Sequence, residues 1–102
     1  MSKLLGLLGL GARAGQLVIG VDAVRSALQG NRCCAVVLAK DAGPRARDKV
    51  ERLARARGLP VVQGPDAVAL GTALGRPPVQ AVGIRDRALA SGVLYGDRKS
   101  VV

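Results

Sequence analysis

The sequence contains no histidine, tryptophan or phenylalanine, and Tyr95 is its single aromatic residue. Without histidine the chain cannot form a Ser-His-Asp or Cys-His catalytic group or a histidine-containing zinc site. Proteins that stack single-stranded bases need several aromatic rings on one sheet face, so this class of nucleic-acid-binding module is excluded as well. A nucleic acid would have to be recognised by helix termini, backbone donors, arginine and lysine, which suits a structured RNA.

Cysteine is also scarce, and the two thiols, Cys33 and Cys34, are adjacent within a predicted strand. Neighbouring strand residues point to opposite faces, so this pair is poorly placed to chelate one metal or to form a disulfide. We expect buried, reduced thiols, which fit a reducing compartment such as the cytoplasm. No apolar run has transmembrane length. The sequence therefore predicts no catalytic residue, no metal, no cofactor and no membrane partner.

Acidic residues are few, because seven Asp and Glu stand against sixteen Lys and Arg and leave a net charge of +9. Twelve of the sixteen cations are arginine, whose planar guanidinium suits phosphates and guanine edges. The excess of positive charge predicts a polyanionic partner. A coding bias toward arginine, alanine and glycine, or a thermophilic host, would produce the same excess, and this alternative stays open at the level of sequence.

Helical and strand patterns alternate along the chain and predict one domain over residues 1–95, with a loose basic tail at 96–102. The predicted helices cover about residues 4–11, 21–29, 44–57, 66–74 and 86–94, and the predicted strands 33–39, 59–63 and 79–84. Asp66 and Asp86 are predicted to begin the last two helices, and Gly75 is predicted to end the helix that Asp66 begins. The fold class is therefore α/β, a three-layer α-β-α sandwich around a small mixed sheet.

Two other interpretations apply to the N-terminal segment. Lys3 followed by Leu4 to Ala12 is similar to a short signal peptide, whereas the one-sided placement of Leu4, Leu7 and Leu8 favours a first core helix. The glycines between Gly9 and Gly15 match a loose nucleotide-binding pattern, which would make the protein a small enzyme or nucleotide binder. A true fingerprint follows a strand, and only eight residues precede Gly9.

The helix predicted to start near residue 21 follows Gly20 and offers backbone N–H groups to an anion. The macrodipole makes this end of the helix favourable for negative charge. Asp22 is an alternative occupant of the same position, because its side chain could cap the helix. The segment predicts either a phosphate-binding helix terminus or a terminus that is closed by Asp22.

From about Leu4 to Leu94 the sequence resembles the L7Ae ribosomal protein family, which binds kink-turn RNA, and most closely its short bacterial YlxQ-like branch. The segments that carry the resemblance occur in family order and are LLGLGARAGQLVIG, GVDAVRSALQG, AVVLAKDAG, RGLPVV and DAVALGTALGRPPVQAVGI. The resemblance implies the same three-layer fold and a non-catalytic, cytoplasmic RNA-binding protein. It also implies ribosomal or another structured RNA as the ligand, and ribosome- or transcription-associated proteins as further partners.

In that family the helix after the glycine carries the signature Gly-x-Asn-Glu-x-x-Lys, whose side chains reach the sheared G-A pairs and phosphates of a kinked RNA duplex. The matching positions here are Gly20, Asp22, Ala23 and Ser26, and only the glycine is unchanged. The base-reading carboxylate and the cation are missing. Either a general RNA site remains at this edge, or the chain is a protein-interaction module that kept the fold and lost specific RNA recognition.

The candidate RNA-binding residues are of two kinds. Gly20, Val21 and Asp22 present the helix N-terminus. The side chains expected to contact phosphates or base edges are Arg13, Gln16, Arg25, Lys40 and Arg76. Arg76 belongs to the loop Gly75–Pro78, which the resemblance places beside the RNA and which is otherwise explained as a rigid double-proline turn.

The predicted helix at 44–57 is strongly basic on one face, which carries Arg45, Arg47, Lys49, Arg52, Arg55 and Arg57. Asp48 and Glu51 precede Arg52 and Arg55 by four residues, so these two arginines are expected to pair locally. The remaining cations form either a solvated face or a secondary nucleic-acid surface.

Overall fold

Helices and strands alternate through residues 3–95, which are the residues that the computed structural model describes. The helices are α1 (Lys3–Arg13), α2 (Val21–Gln29), α3 (Pro44–Ala56), α4 (Ala67–Leu74) and α5 (Arg87–Tyr95). The strands are β1 (Leu17–Ile19), β2 (Ala35–Leu38), β3 (Val61–Gln63) and β4 (Ala81–Ile84). The tail predicted at 96–102 lies outside the described residues.

The four strands form one mixed sheet in the order β1-β4-β2-β3. β4 pairs antiparallel with both β1 and β2, whereas β3 runs parallel to β2. The central strands β2 and β4 are buried along their whole length. The edge strand β1 has three residues, too short for an alternating pattern, and it is not among the predicted strands.

Helices cover both faces of the sheet. Side chains of β2 alternate between two core clusters, with Val36 and Leu38 in the cluster that includes residues of α2 and α3. Ala35 and Val37 belong to the cluster on the other face, which is completed by α1, α4 and α5. The predicted three-layer α-β-α sandwich is therefore confirmed. Leu8 of α1 is fully buried, so residues 3–13 form a core helix, as the one-sided apolar pattern favours.

All three predicted strands begin later than predicted. β3 begins at Val61 and not at Leu59, because the Leu59 N–H donates to the Ala54 carbonyl of α3 at 2.9 Å. β4 begins at Ala81 and not at Val79, because the Val79 N–H donates to the Ala67 carbonyl of α4 at 2.9 Å. β2 begins at Ala35, so both cysteines precede the strand. Their side chains still lie on opposite faces, because Cys33 packs in the α2–α3 cluster and Cys34 against the other cluster.

The ends of the helices follow the predicted chemistry in most cases. Asp66 Oδ1 accepts from the Ala69 N–H at 2.8 Å, and Asp86 Oδ2 accepts from the Leu89 N–H at the same distance. Gly75 ends α4 in the left-handed conformation. The capping alternative for Asp22 is wrong: the residue that caps α2 is Gly20, and no side chain makes a capping hydrogen bond there. Asp22 is the second residue of the helix, and its carboxylate is exposed.

Within residues 3–95 no helix has both the length and the apolar character needed to cross a membrane.

Candidate nucleic-acid interface

One end of the sheet collects several of the predicted site residues. β1, β2 and β3 finish at this end, and β4, antiparallel to β1 and β2, starts there. Two backbone hydrogen bonds fix the neighbours: the Gly20 N–H donates to the Ala81 carbonyl, and the Ala39 N–H donates to the Gln80 carbonyl, both at 2.9 Å. The start of α2 and the turn after β2 therefore lie on either side of the start of β4.

Gly20 directs the chain from β1 into α2. Its φ of 105° and ψ of 150° belong to a region that is essentially restricted to glycine. Its carbonyl accepts the first helical hydrogen bond, from the Val24 N–H at 2.9 Å. Within residues 3–95, the N–H groups of Val21, Asp22 and Ala23 have no hydrogen-bond acceptor. Three donors at the positive end of a helix macrodipole are thus available to an anion.

A groove of about 370 Å³ opens beside this helix terminus. One wall is the segment Ile19–Val21, and the other is the loop from Arg76 to Gln80. Arg76 is exposed, so its guanidinium can move over the mouth of the groove. The two prolines stiffen the second wall, because a proline ring fixes φ. The groove joins free backbone donors to a cation, which is the arrangement that binds a phosphate.

The second wall of the groove depends on Gly71 of α4. The Arg76 N–H donates to the Gly71 carbonyl at 2.8 Å, and Gly71 is buried against the loop. A Cβ at this position would overlap the backbone of the loop, including the Pro77 carbonyl and the Arg76 oxygen at 2.8 Å. Only glycine lets the loop approach the helix this closely.

Lys40 lies at the same end of the sheet, on the turn that follows β2. Its backbone N–H donates to the Pro65 carbonyl at 3.1 Å, and Asp41 Oδ1 accepts from the Ala67 N–H at 2.8 Å. These bonds hold the turn against the start of α4, while the Lys40 side chain is exposed. Lys40 can therefore act as a cation on a fixed backbone at the edge of the groove.

Two further polar residues lie at this end: Gln80, which was not predicted as a site residue, and Arg47, which was predicted only as part of the basic face at 44–57. Gln80 lines the groove, and its Oε1 accepts from the Gly43 N–H at 3.3 Å just before α3. Arg47 Nη2 donates to the Ala39 carbonyl at 3.3 Å. The Gln80 contact joins residues 37 positions apart and the Arg47 contact residues eight apart, and neither spacing is reported by helical periodicity or by capping chemistry. For Gly71, the only sequence signal of a close backbone contact is the presence of a glycine inside a predicted helix.

The positions that match the family signature form the outer surface of α2. Asp22, Ala23 and Ser26 are all exposed. A guanidinium reaches this surface from elsewhere, because Arg32 Nη2 donates to Ser26 Oγ at 3.5 Å. Arg25 is also exposed, one turn into the helix. The exposed surface of α2 thus carries Asp22 and Arg25 in the part nearer the groove, and the Arg32 guanidinium farther along, toward the C-terminal end of the helix.

Two predicted residues lie outside the groove. Arg13 ends α1 and lines the cleft between α1 and α4, next to Leu74 and Gly75. The loop that starts at Gly75 leads from there to the groove. Gln16 lies at the opposite end of β1 from Gly20, and its carbonyl accepts from the Arg85 N–H at 2.8 Å. The structure therefore brings together Gly20, Val21, Asp22, Arg25, Lys40 and Arg76 at this end of the sheet, but neither Arg13 nor Gln16.

Other arginines have structural partners. The predicted pairs on α3 are confirmed, with Arg52–Asp48 at 3.0 Å and Arg55–Glu51 at 2.6 Å. Arg57 donates to Asn31 Oδ1 and to the Gln29 carbonyl, at the C-terminal end of α2. A cation there complements the helix macrodipole. These arginines contribute to the fold more directly than to the groove.

The thiols lie at the end of the sheet that is remote from the groove. Both line a cavity of about 410 Å³ with residues of α5. Burial raises the pKa of the Cys33 thiol, because desolvation penalises the thiolate. Among residues 3–95 there is no group of three or more side chains suited to hold a metal ion.

The fold and the groove define an α/β sandwich protein with a donor-rich, basic groove at one end of its sheet. Comparison with known proteins assigns the family. The model of the Ribosomal protein L7Ae/L30e/S12e/Gadd45 family matches residues 2–92, and the chain belongs to this family. The resemblance found in the sequence is therefore confirmed.

Individual relatives agree with this assignment. The chain is 38% identical over 64 residues to RNA-binding protein BH0128 of Halalkalibacterium halodurans, an alignment that covers 63% of this chain and 78% of that protein. A solved structure described as a protein of unknown function from Bacillus halodurans C has a TM-score of 0.88 and 31% identity, covering 92% of this chain and 95% of that one. The family and the relative named as an RNA-binding protein agree with the expectation of a non-catalytic protein.

A more distant structure supports the fold alone. The Giardia lamblia 15.5kD RNA binding protein has a TM-score of 0.79 at 24% identity, and the match covers 97% of this chain and 87% of that chain.

Proposed function

We propose that this protein is a non-catalytic RNA-binding protein that holds a structured RNA in the groove between Gly20 and Arg76. The observation that carries the proposal is the set of three free N–H donors on Val21, Asp22 and Ala23 at the mouth of that groove. The family membership and the RNA-binding relative support RNA as the class of ligand. We expect the protein to act in the cytoplasm, with ribosomal RNA as one candidate ligand.

The groove chemistry favours a bent RNA over a straight duplex. A bend brings phosphates and exposed base edges together within a small volume, and a helix terminus flanked by cations can neutralise them together. The phosphate would accept from the α2 donors, while Arg76 and Lys40 contact neighbouring phosphates. The double-proline wall offers a rigid apolar surface to an unstacked base. Kink-turn RNA is therefore the finer candidate within the class of structured RNA.

The departures from the family signature change how the bases could be read. The Asp22 carboxylate can only accept hydrogen bonds. It can therefore accept one from a base amino group, but it repels a phosphate. Arg32, bonded to Ser26 Oγ, brings a cation to the position where the signature has lysine. We propose that phosphate contacts carry most of the affinity and that Asp22 provides the base selection that remains.

The test is a titration of the protein into a labelled kink-turn RNA and an unkinked duplex of equal length, at several salt concentrations. We expect tighter binding to the kinked RNA and a salt slope that counts the phosphate contacts. Replacing Lys40 and Arg76 together by alanine should weaken binding and reduce the slope by about two. Asp22→Asn should tighten binding, because it removes a negative charge beside the groove.

The matched control removes two exposed cations from the opposite end of the sheet, Arg85 and Arg87. This double alanine variant has the same net charge as the groove variant and should bind almost as the wild type does. Equal losses in both variants would contradict a localised site. No binding of either RNA at moderate salt would contradict the RNA-binding function itself.

A second candidate function, a protein-interaction module on the same fold, is favoured by one feature. A largely apolar cleft of about 560 Å³ lies between α1 and α4, and Leu10 on its rim is 61% exposed. A cleft of this kind is suited to an apolar side chain of a protein partner, for example a ribosome- or transcription-associated protein. Stoichiometric capture of one protein that survives nuclease treatment, together with absent RNA binding, would favour this function.

A further inference from the structure

The outer face of α3 carries cations that neither the groove nor the core uses. Arg45 and Lys49 are exposed, and neither side chain has an ion pair within the described part of the chain. The arginines further along α3 differ, because Arg52 and Arg55 are paired with carboxylates of the same helix. The first half of the helix thus has unneutralised positive charge, and the second half is largely neutralised.

This charge is continuous with the groove. The Gly43 N–H immediately before α3 donates to Oε1 of the groove residue Gln80, so the first turn of α3 adjoins the groove. Lys40 lies on the turn that joins β2 to that helix. Arg45 and Lys49 are four residues apart and share one helical face, about 6 Å apart along the axis. A row of cations therefore extends from the groove along α3.

We infer that Lys40, Arg45 and Lys49 form a phosphate track that binds the duplex stem of an RNA whose bend lies in the groove. The inference rests on the proposed function, because the groove sets where the stem starts. The rise of about 6 Å from Arg45 to Lys49 corresponds to about two phosphates of one strand, which are spaced about 3.4 Å along the duplex axis. The local ion pairs Asp48–Arg52 and Glu51–Arg55 mark where the track ends.

In a bent RNA the two stems leave the bend in different directions, so they should not contact α3 equally. Only one of the two stems that leave a bend can lie along α3, because the helix leads away from the groove on one side. Lengthening that stem adds phosphates within reach of Arg45 and Lys49, and lengthening the other stem adds none. The gain in affinity should therefore depend on which stem is extended.

The experiment measures binding of the full chain to three kink-turn RNAs: a minimal one, and one with each stem extended in turn. The proteins are the wild type, R45A/K49A and the charge-matched control R85A/R87A, each checked for unchanged thermal unfolding. We expect the wild type and the control to gain affinity from one extension only. In R45A/K49A this gain should disappear, and the salt slope on the extended RNA should fall by about two.

Each outcome decides between two ideas that can fail separately. If R45A/K49A keeps the gain of the wild type, the track is overturned while the groove function stands. If both double variants lose the same affinity on every RNA, overall charge explains the binding and the track is again overturned. If the wild type binds none of the three RNAs, the proposed function fails and the track fails with it.

Discussion

Gly20 determines the geometry of the candidate site more directly than any other single residue of the groove. Its backbone conformation leads the chain from β1 into α2, where the first N–H groups have no acceptor within residues 3–95. A Cβ added at Gly20 would meet no atom within 4 Å. A substitution therefore costs backbone conformational energy, because residues other than glycine rarely adopt this φ.

Gly20→Ala should reduce the free energy of unfolding by about 1–3 kcal/mol, or shift the start of α2 to relieve the strain. In either case RNA binding weakens, because the N–H groups of Val21 and Asp22 change direction. Chemical denaturation and the kink-turn titration measure the two effects. The control is Gly6→Ala in α1, where an added Cβ also meets no atom within 4 Å.

At Gly6 the same substitution should stabilise the protein by about 0.5–1 kcal/mol, because alanine is favoured over glycine inside a helix. The two substitutions should change the free energy of unfolding in opposite directions, which distinguishes backbone strain at Gly20 from a general effect of adding alanine. Equal stability of Gly20→Ala and the wild type, with unchanged binding, would contradict the role given to the φ of Gly20.

At the scale of elements, the groove exists because a loop packs unusually closely on a helix. α4 is held at its start by Asp66 and Asp41, which accept from the Ala69 and Ala67 N–H groups. Its end is set by Gly75 in the left-handed conformation, after which the loop turns back across Gly71. The loop position is thus decided by α4 and not by the prolines alone.

Gly71→Ala should displace the loop from Arg76 to Pro78 and widen the groove. Because the added Cβ would overlap backbone atoms, which cannot rotate away, we expect a loss of about 1–3 kcal/mol in the free energy of unfolding. RNA affinity should fall at the same time. Thermal unfolding and the RNA titration report the two losses.

Gly92→Ala in α5 provides the comparison for this substitution. Its added Cβ would lie 3.5 Å from Leu7 Cδ1, an ordinary van der Waals contact. We expect unchanged or slightly raised stability and unchanged RNA binding. If Gly71→Ala behaves in the same way as Gly92→Ala, the close approach of the loop to α4 does not matter for the groove.

At the scale of the whole molecule, the sheet separates a charged end from a thiol end. Gly20, Lys40 and Gln80 meet at one end, while Cys33 and Cys34 lie at the other. The net charge of +9 acts over the entire surface and draws any polyanion at low salt. Selectivity must therefore come from the geometry of the groove, and it should increase as salt screens the general attraction.

The rate at which the Cys33 thiol is alkylated reports how often the fold opens to solvent. Cys33 is 7% exposed and its pKa is raised by burial, whereas Cys34 is partly exposed. At neutral pH an alkylating reagent should therefore modify Cys34 first and Cys33 only when the fold opens. Mass spectrometry of the modified peptide over time, with and without denaturant, follows both residues.

The raised pKa also predicts the sign of a pH effect. Below the ordinary thiol pKa both folded and unfolded chains keep Cys33 protonated, so its contribution is constant. Between the ordinary value and the raised one only the unfolded chain releases the proton, and stability falls as pH rises. The Cys33→Ala variant should therefore lose less folding stability than the wild type as pH rises through this range. Rapid alkylation of native Cys33, at a rate equal to that of Cys34, would contradict its burial.

The sequence alone determined the order of the five helices and of three of the four strands, the helix ends at Asp66, Gly75 and Asp86, and the local pairs on α3. These features depend on interactions within a few residues, which periodicity, capping chemistry and i, i+4 spacing report directly. The ordered motifs were also sufficient to identify the family. The position of Gly20 before α2 could be predicted as well, because it also depends on a local pattern.

The tertiary structure alone decided which residues share the groove. It placed Arg76 and Gln80 opposite Gly20, because β4 inserts between β1 and β2 and brings its preceding loop to their ends. It separated Gln16 from that groove, joined Gly71 to the loop, and left Asp22 without a capping role. Strand order and close backbone contacts arise from burying two apolar faces of one sheet, a constraint between distant segments that no local pattern in the sequence expresses.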